Sequence, residues 1–126
     1  MESNIGYQEK LYRAVKLAKP QLWDDENGRP SSALFKDSKG VSVDRDGNRS
    51  EHEIINLLSE NINHEPLRAV ISLDASYCYE VPVELIYSPL ENNIYHAEIH
   101  DSKERVQLTS SKARKLSRNC IVISID

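Results

Sequence analysis

The chain has 126 residues, is 39% hydrophobic and 29% charged, and carries a net charge of −4. That length fits one domain with its own core, and the composition excludes a disordered chain. The mild acidity excludes wholesale non-specific nucleic-acid binding, and no apolar run approaches the roughly 20 residues of a membrane span.

Residues 1–6 read as a loose arm. They lack the apolar segment of a signal peptide, so a cytoplasmic location is expected. YQEKLYRAVKLAK follows, with Leu11, Ala14, Val15 and Ala18 at helical spacing and Pro20 as the stop. A helix is expected there, with an edge strand over LYRAV as the alternative. DDENGRP is a turn by its Asn-Gly and its proline. In SSALFKDSKGVSVDR two short apolar segments flank KDSKG, the pattern of a β-hairpin.

VDRDGNRSEHEII, residues 43–55, sets oxygen-bearing side chains at alternate positions: Asp44, Asp46, Asn48 and Ser50. A calcium loop of the helix–loop–helix type also needs glycine at position 6 and a bidentate glutamate at position 12. Counted from Asp44, those positions hold Arg49 and Ile55. The cation and the missing ligand exclude calcium. Ser50 with Glu53 is instead a capping box, and Asp-Gly is a turn from strand to helix. The helix that follows places Ile54, Leu57, Leu58 and Ile62 on one face.

LRAVISLD, YCYEVPVELIYS, NIYHAEIH and NCIVISI are rich in β-branched and aromatic residues and read as strands. TSSKARKLSRN, between the last two, reads as a short basic helix capped by Ser110 or Ser111. Cys78 and Cys120 each sit in an apolar or aromatic run and read as buried thiols. A disulfide would require their two strands to pair. The expectation is a single α+β domain: a mainly antiparallel sheet of about five or six strands with two or three short helices.

His96, Glu98 and His100 are the most chemically suggestive cluster. On a strand they share one face, but neighbours in the row stand about 7 Å apart and the ends about 13 Å. One zinc ion with bonds near 2 Å cannot join the outer pair, so no metal site is expected. Tyr95, Ala97 and Ile99 face inward on this reading. His96 is the natural general base near neutral pH. No cofactor is expected: the phosphate-binding and nucleophile-elbow motifs are missing, and four glycines cannot build a Gly-rich cradle.

Arg13 in LYRAV, Ser42 in GVSVDR and Glu98 in YHAEIH stand in an Arg–Ser–Glu order. That order resembles ADP-ribosyltransferase-like domains. The resemblance implies an enzymatic cleft in which Arg13 holds dinucleotide phosphates, Ser42 supports the site and Glu98 orients the attacked ribose, with His96 nearby. RPSSALFK, GVSVDR and YHAEIH also look like segments of small bacterial proteins, a likeness that assigns no activity and no site.

Residues 103–118 hold Lys103, Arg105, Lys112, Arg114, Lys115 and Arg118 against Glu104 alone, a local reversal in an acidic chain. Ala113 and Leu116 face the core of such a helix and the cations face water. The favoured reading is a non-enzymatic adaptor that docks another protein, acidic at the contact, through this surface. Nucleic acid is the lesser alternative, because no aromatic residue interleaves the cations to stack bases.

Overall fold

The computed structural model describes residues 1–125, in which eight strands are interspersed with three α-helices. Strands β1 (Lys10–Lys16), β2 (Trp23–Asp24), β3 (Arg29–Pro30) and β4 (Val41–Arg45) precede helix α1 (Glu51–Asn61). Strand β5 (Leu67–Asp74) runs into α2 (Ala75–Glu80), followed by β6 (Glu84–Tyr87) and β7 (His96–His100). Helix α3 (Ser110–Asn119) and β8 (Ile121–Ile123) close the fold. Six strands form one sheet in the order β6-β7-β4-β1-β5-β8, with every neighbouring pair antiparallel, and β2 and β3 form a separate ribbon. The α+β expectation holds.

The segment expected as a helix is β1, near the centre of the sheet. It buries both faces. Leu11 and Val15 enter the larger core, while Tyr12 joins Ile54, Leu58 and Val70 beneath α1. A strand apolar on both faces loses its two-residue alternation, so its pattern mimics a helical stripe. Pairing with β5 along the length of β1 overrides the local preference.

Two more expectations change. SALF is a 3-10 turn, not the first arm of a hairpin, and β4 pairs with β1 and β7. The turn sends the consecutive residues Leu34 and Phe35 into the same core; a strand would have sent them to opposite faces. Likewise the strand expected over YCYEVPVELIYS begins only at Glu84, because ASYCYE is α2. Ala75 and Cys78, three residues apart on that helix, are both buried.

The sheet separates two packed layers. Helices α2 and α3 and the 3-10 turn Ser32–Phe35 lie against one face, where Ala113 and Leu116 meet Leu34, Val43, Ala97 and Ile99. Helix α1 covers the other face, but its buried contacts are with β1 and β5. Ser50 caps α1 by accepting from the Glu53 amide at 3.2 Å. Its hydroxyl also donates to the Glu53 carboxylate at 3.2 Å, so the return bond comes from the hydroxyl and not from the Ser50 amide. The turn before it has Gly47 and Asn48 at φ 57° and 58°, the left-handed geometry expected of Asp-Gly.

Residues 1–6 are tied to the sheet. Ile5 is buried, its carbonyl accepts from Tyr79 Oη at 2.6 Å, and Arg45 donates to the carbonyls of Glu2 and Asn4. Arg45 also holds Glu9 through two bonds, Nε to Oε1 at 2.7 Å and Nη2 to Oε2 at 2.8 Å. The Arg45 hydrogen bond keeps the Glu9 carboxyl below its usual value of 4.5. Stability from this pair is therefore present above that value and lost as pH falls through the lowered one. Arg45→Met is expected to lose about 2 kcal/mol at pH 7, because it leaves the half-buried Glu9 carboxylate without its counter-charge and with only the Gly6 amide as donor. Urea unfolding at pH 7 and pH 3 checks this; a deficit that fails to shrink in acid would contradict it.

Candidate functional site

Strands β1 and β4 pair only at Leu11–Arg45 and Tyr12–Asp44. Beyond that they part, and Arg13 spans the opening. Its Nε donates to the Leu34 carbonyl at 3.1 Å and its Nη1 to the Ser42 carbonyl at 2.8 Å. Burial lowers the Arg13 pKa, with Asp37 opposing. The split and the partial cover by α1 leave a cleft of about 380 Å³. The end of α1, the far end of β1 and the loop before β7 wall it.

Three of the residues singled out from sequence line this cleft: Arg13, Ser42 and His96. The pairing of Ser42 with Glu98 and of Asp44 with His96 sets these side chains on one face of β4 and β7. His96 Nδ1 lies 2.8 Å from the Ser88 carbonyl, and its Nε2 lies 3.2 Å from Ser42 Oγ. A carbonyl can only accept, so Nδ1 carries the proton of the neutral ring. Nε2 then accepts from Ser42. This is a hydroxyl directed at an oriented imidazole, the bond order of a base-assisted hydroxyl.

Glu98 is not among the residues lining the cleft. It pairs with His100 at 2.8 Å, and both side chains lie over Gly40. A Cβ at Gly40 would stand 2.6 Å from the Glu98 carboxylate and 2.8 Å from His100 Nε2, and its φ is 102°. Ala97 and Ile99 face the core as expected, and Tyr95 lies under the Arg49 guanidinium at 3.5 Å. Among the described residues no group of three or more His, Cys, Asp or Glu side chains could hold a metal ion.

The cleft adds Asn93, which the sequence did not single out, and Asp44, which the sequence offered only for the excluded calcium loop. Both are buried, and Asn93 Nδ2 donates to Asp44 Oδ1 at 2.9 Å. Asp44 Oδ2 has no hydrogen-bond partner. Burial raises the Asp44 pKa above its usual 3.8, opposed by Asn93, Arg49 and His96. The alternation of Ser42 and Asp44 with Val41 and Val43 was the available signal for Asp44. Nothing in SPLENN marks Asn93.

The basic surface lies on the opposite face of the sheet. Thr109, one residue earlier than expected, caps α3 by accepting from the Lys112 amide at 3.3 Å. The Asp101 carboxylate holds the Thr109 amide at 3.0 Å and so fixes the cap in that position. Lys112 is half-buried, 3.6 Å from the Asp101 carboxylate. Lys103, Arg105, Arg114, Lys115 and Arg118 are exposed. Among the described residues none of these has a carboxylate within ion-pair distance. Arg29 Nε and Nη2 donate to the Ser117 carbonyl at 2.9 and 2.7 Å, which ties β3 to the end of α3.

Cys78 and Cys120 are free and buried, and burial pushes the Cys78 thiol up to about 12. Neither environment favours a reactive thiolate. No helix among the described residues is long and apolar enough to cross a membrane. Comparison with family models, curated proteins and solved structures finds no match, so the functional argument stands on geometry.

Asp44 yields a test of the cleft's electrostatics. Its raised pKa means that folding favours the protonated form, so its contribution worsens as pH rises from 3.8 through the raised value. Asp44→Asn keeps an acceptor for Asn93. It is expected to be at least as stable as the parent at pH 7 and to lose that advantage near pH 3. Chemical denaturation at both pH values decides; a variant much weaker at pH 7 would show that the ionised carboxylate is stabilising.

Proposed function

We propose that this chain is a cytoplasmic binding module that docks an acidic protein surface through the exposed face of α3 and the loop before it. One observation carries the reading. Arg114, Lys115 and Arg118 on the anchored helix α3, with Lys103 and Arg105 in the loop before it, are exposed without carboxylate partners among the described residues. An intramolecular role would have supplied counter-charges, as Asp101 does for Lys112.

The anchoring matters to the energetics. Ala113 and Leu116 are fully buried, Thr109 caps the start, and Arg29 holds the last turn. A helix fixed at both ends loses little further freedom on docking, which lowers the cost of association. Exposed cations chiefly accelerate encounter and select the sign of the partner's surface, while packed contacts slow dissociation. A protein partner fits better than a nucleic-acid duplex, because the rest of the chain is strongly acidic and would repel phosphates beyond the patch.

Arg114→Glu, Lys115→Glu and Arg118→Glu together are expected to abolish co-purification with the native partner. These positions are exposed, so the unfolding free energy should shift by no more than about 1 kcal/mol. Pull-down from the native host, paired with thermal melts, checks both parts. Retention of the partner by a folded triple variant would remove α3 as the docking face. A gel shift with duplex DNA that vanishes steeply with salt would favour nucleic acid instead.

A further inference from the structure

Resting on the reading that α3 docks an acidic partner, we infer that the group recognised is a phosphorylated serine or threonine of that partner, held between the β2–β3 ribbon and α3. A hollow of about 620 Å³ lies there, and Asp24, Arg29, Ser32, Arg114 and Arg118 are among the residues that line it. Arg29 comes from β3, while Arg114 and Arg118 stand four residues apart on α3 and so share a face. Cations at that spacing repel one another. Neither has a carboxylate within ion-pair distance among the described residues.

The hollow is fixed before anything enters it. Arg29 Nε and Nη2 hold the Ser117 carbonyl, and Nη2 also reaches the Cys120 carbonyl at 3.3 Å, so one wall is tied to the other. Those bonds do not use Nη1. The last turn of a helix presents carbonyls that repel an anion. Here the Ser117 carbonyl is covered by a guanidinium, which places a cation where a bare helix end would be negative.

Asp24 is the one carboxylate in the lining among the described residues, and Asn27 occupies it. Asn27 Nδ2 donates to Oδ2 at 2.6 Å and the Asn27 amide to Oδ1 at 3.3 Å. Three guanidinium charges against this carboxylate leave two positive charges around one hollow. A carboxylate or a phosphodiester carries a single negative charge and would neutralise half of that. A phosphomonoester carries about −1.5 to −2 at pH 7, and its three oxygens suit forked donors. The Ser32 hydroxyl adds one more donor in the lining.

The test titrates the ¹⁵N-labelled full chain with three capped peptides, Ala-Ala-X-Ala-Ala, in which X is phosphoserine, glutamate or serine. The amides of Arg29, Ser32, Arg114 and Arg118 are expected to shift saturably with the phosphoserine peptide, at about millimolar affinity for so short a probe. The glutamate peptide should bind about tenfold more weakly, and the serine peptide should not saturate. Arg114→Gln and Arg118→Gln should each weaken the phosphoserine peptide about five- to tenfold. Lys115→Gln, on α3 but outside the hollow, should change it by less than about twofold. All three positions are exposed, so the variants are expected to fold. Equal binding of the phosphoserine and glutamate peptides, or a Lys115→Gln effect as large as that of Arg114→Gln, would overturn the phosphate site.

Phosphatase treatment of the host lysate separates this inference from the docking reading, and it should prevent capture of the partner by the parent chain. Capture that survives phosphatase but is lost in the triple α3 variant would sink the phosphate and keep the docking face. Capture by the triple variant, with saturable phosphoserine binding by the parent, would remove the docking face and keep the phosphate site.

Discussion

The fold turns on Arg13, which spans the opening where β1 and β4 part. Its guanidinium donates to two carbonyls, that of Ser42 on β4 and that of Leu34 in the 3-10 turn before it. A buried carbonyl without a donor is costly. A side chain with several N–H donors in a fixed fork meets this need better than water, and at less risk to the core. The same side chain bridges β1 and β4 beside the cleft that it helps to line. A shorter residue at position 13 would force a choice between closing the sheet and wetting its centre.

The polar character of the cleft follows from how little of the sheet α1 covers. Its buried residues Ile54 and Leu58 meet Tyr12 and Val70, over β1 and β5. The half of this face formed by β4, β7 and β6 lies outside that contact and carries Ser42, Asp44, His96, Glu98 and His100. The opposite face of β4 and β7 is packed, with Val41, Val43, Ala97 and Ile99 buried. Antiparallel sheets commonly present one packed and one wetted face. Here both conditions occur along one sheet, with the helix edge as their boundary. Asp44 sits at that boundary, beside Tyr12 in the ladder, and is buried there without full hydrogen bonding.

What was legible in the sequence follows from this layout. Where one face is wet, alternation is clean, and the inward Ala97 and Ile99 with outward His96, Glu98 and His100 were readable. Helix α1 was readable because its cap and stripe are both local. Strand β1 was not, because burial on both faces removed the alternation and left a spacing that fits a helix as well. SALF and ASYCYE failed for a related reason: composition announced burial but not the backbone period that achieves it. Of the cleft, Arg13, Ser42 and His96 were noticed for their chemistry. Asp44 was weighed only as the first position of a calcium loop that Arg49 and Ile55 exclude, and Asn93 depends on a loop with no periodic signal.

The two surfaces lie on opposite faces of the sheet, and their physical connection is short. Leu34 packs in the same core as Ala113 and Leu116 of α3, its carbonyl accepts from Arg13, and Arg13 donates onward to Ser42 at the cleft. Contiguity alone does not make coupling; that requires an element with two arrangements which both sites bias. Arg13 is held at two points, α3 is capped at its start and tied down in its last turn, and Leu34 is fully buried. Each element in the path is held by contacts to its neighbours, and none of those contacts supplies a second arrangement. Changes at the cleft and at α3 should therefore contribute independently, with energies that add as they do for separate sites.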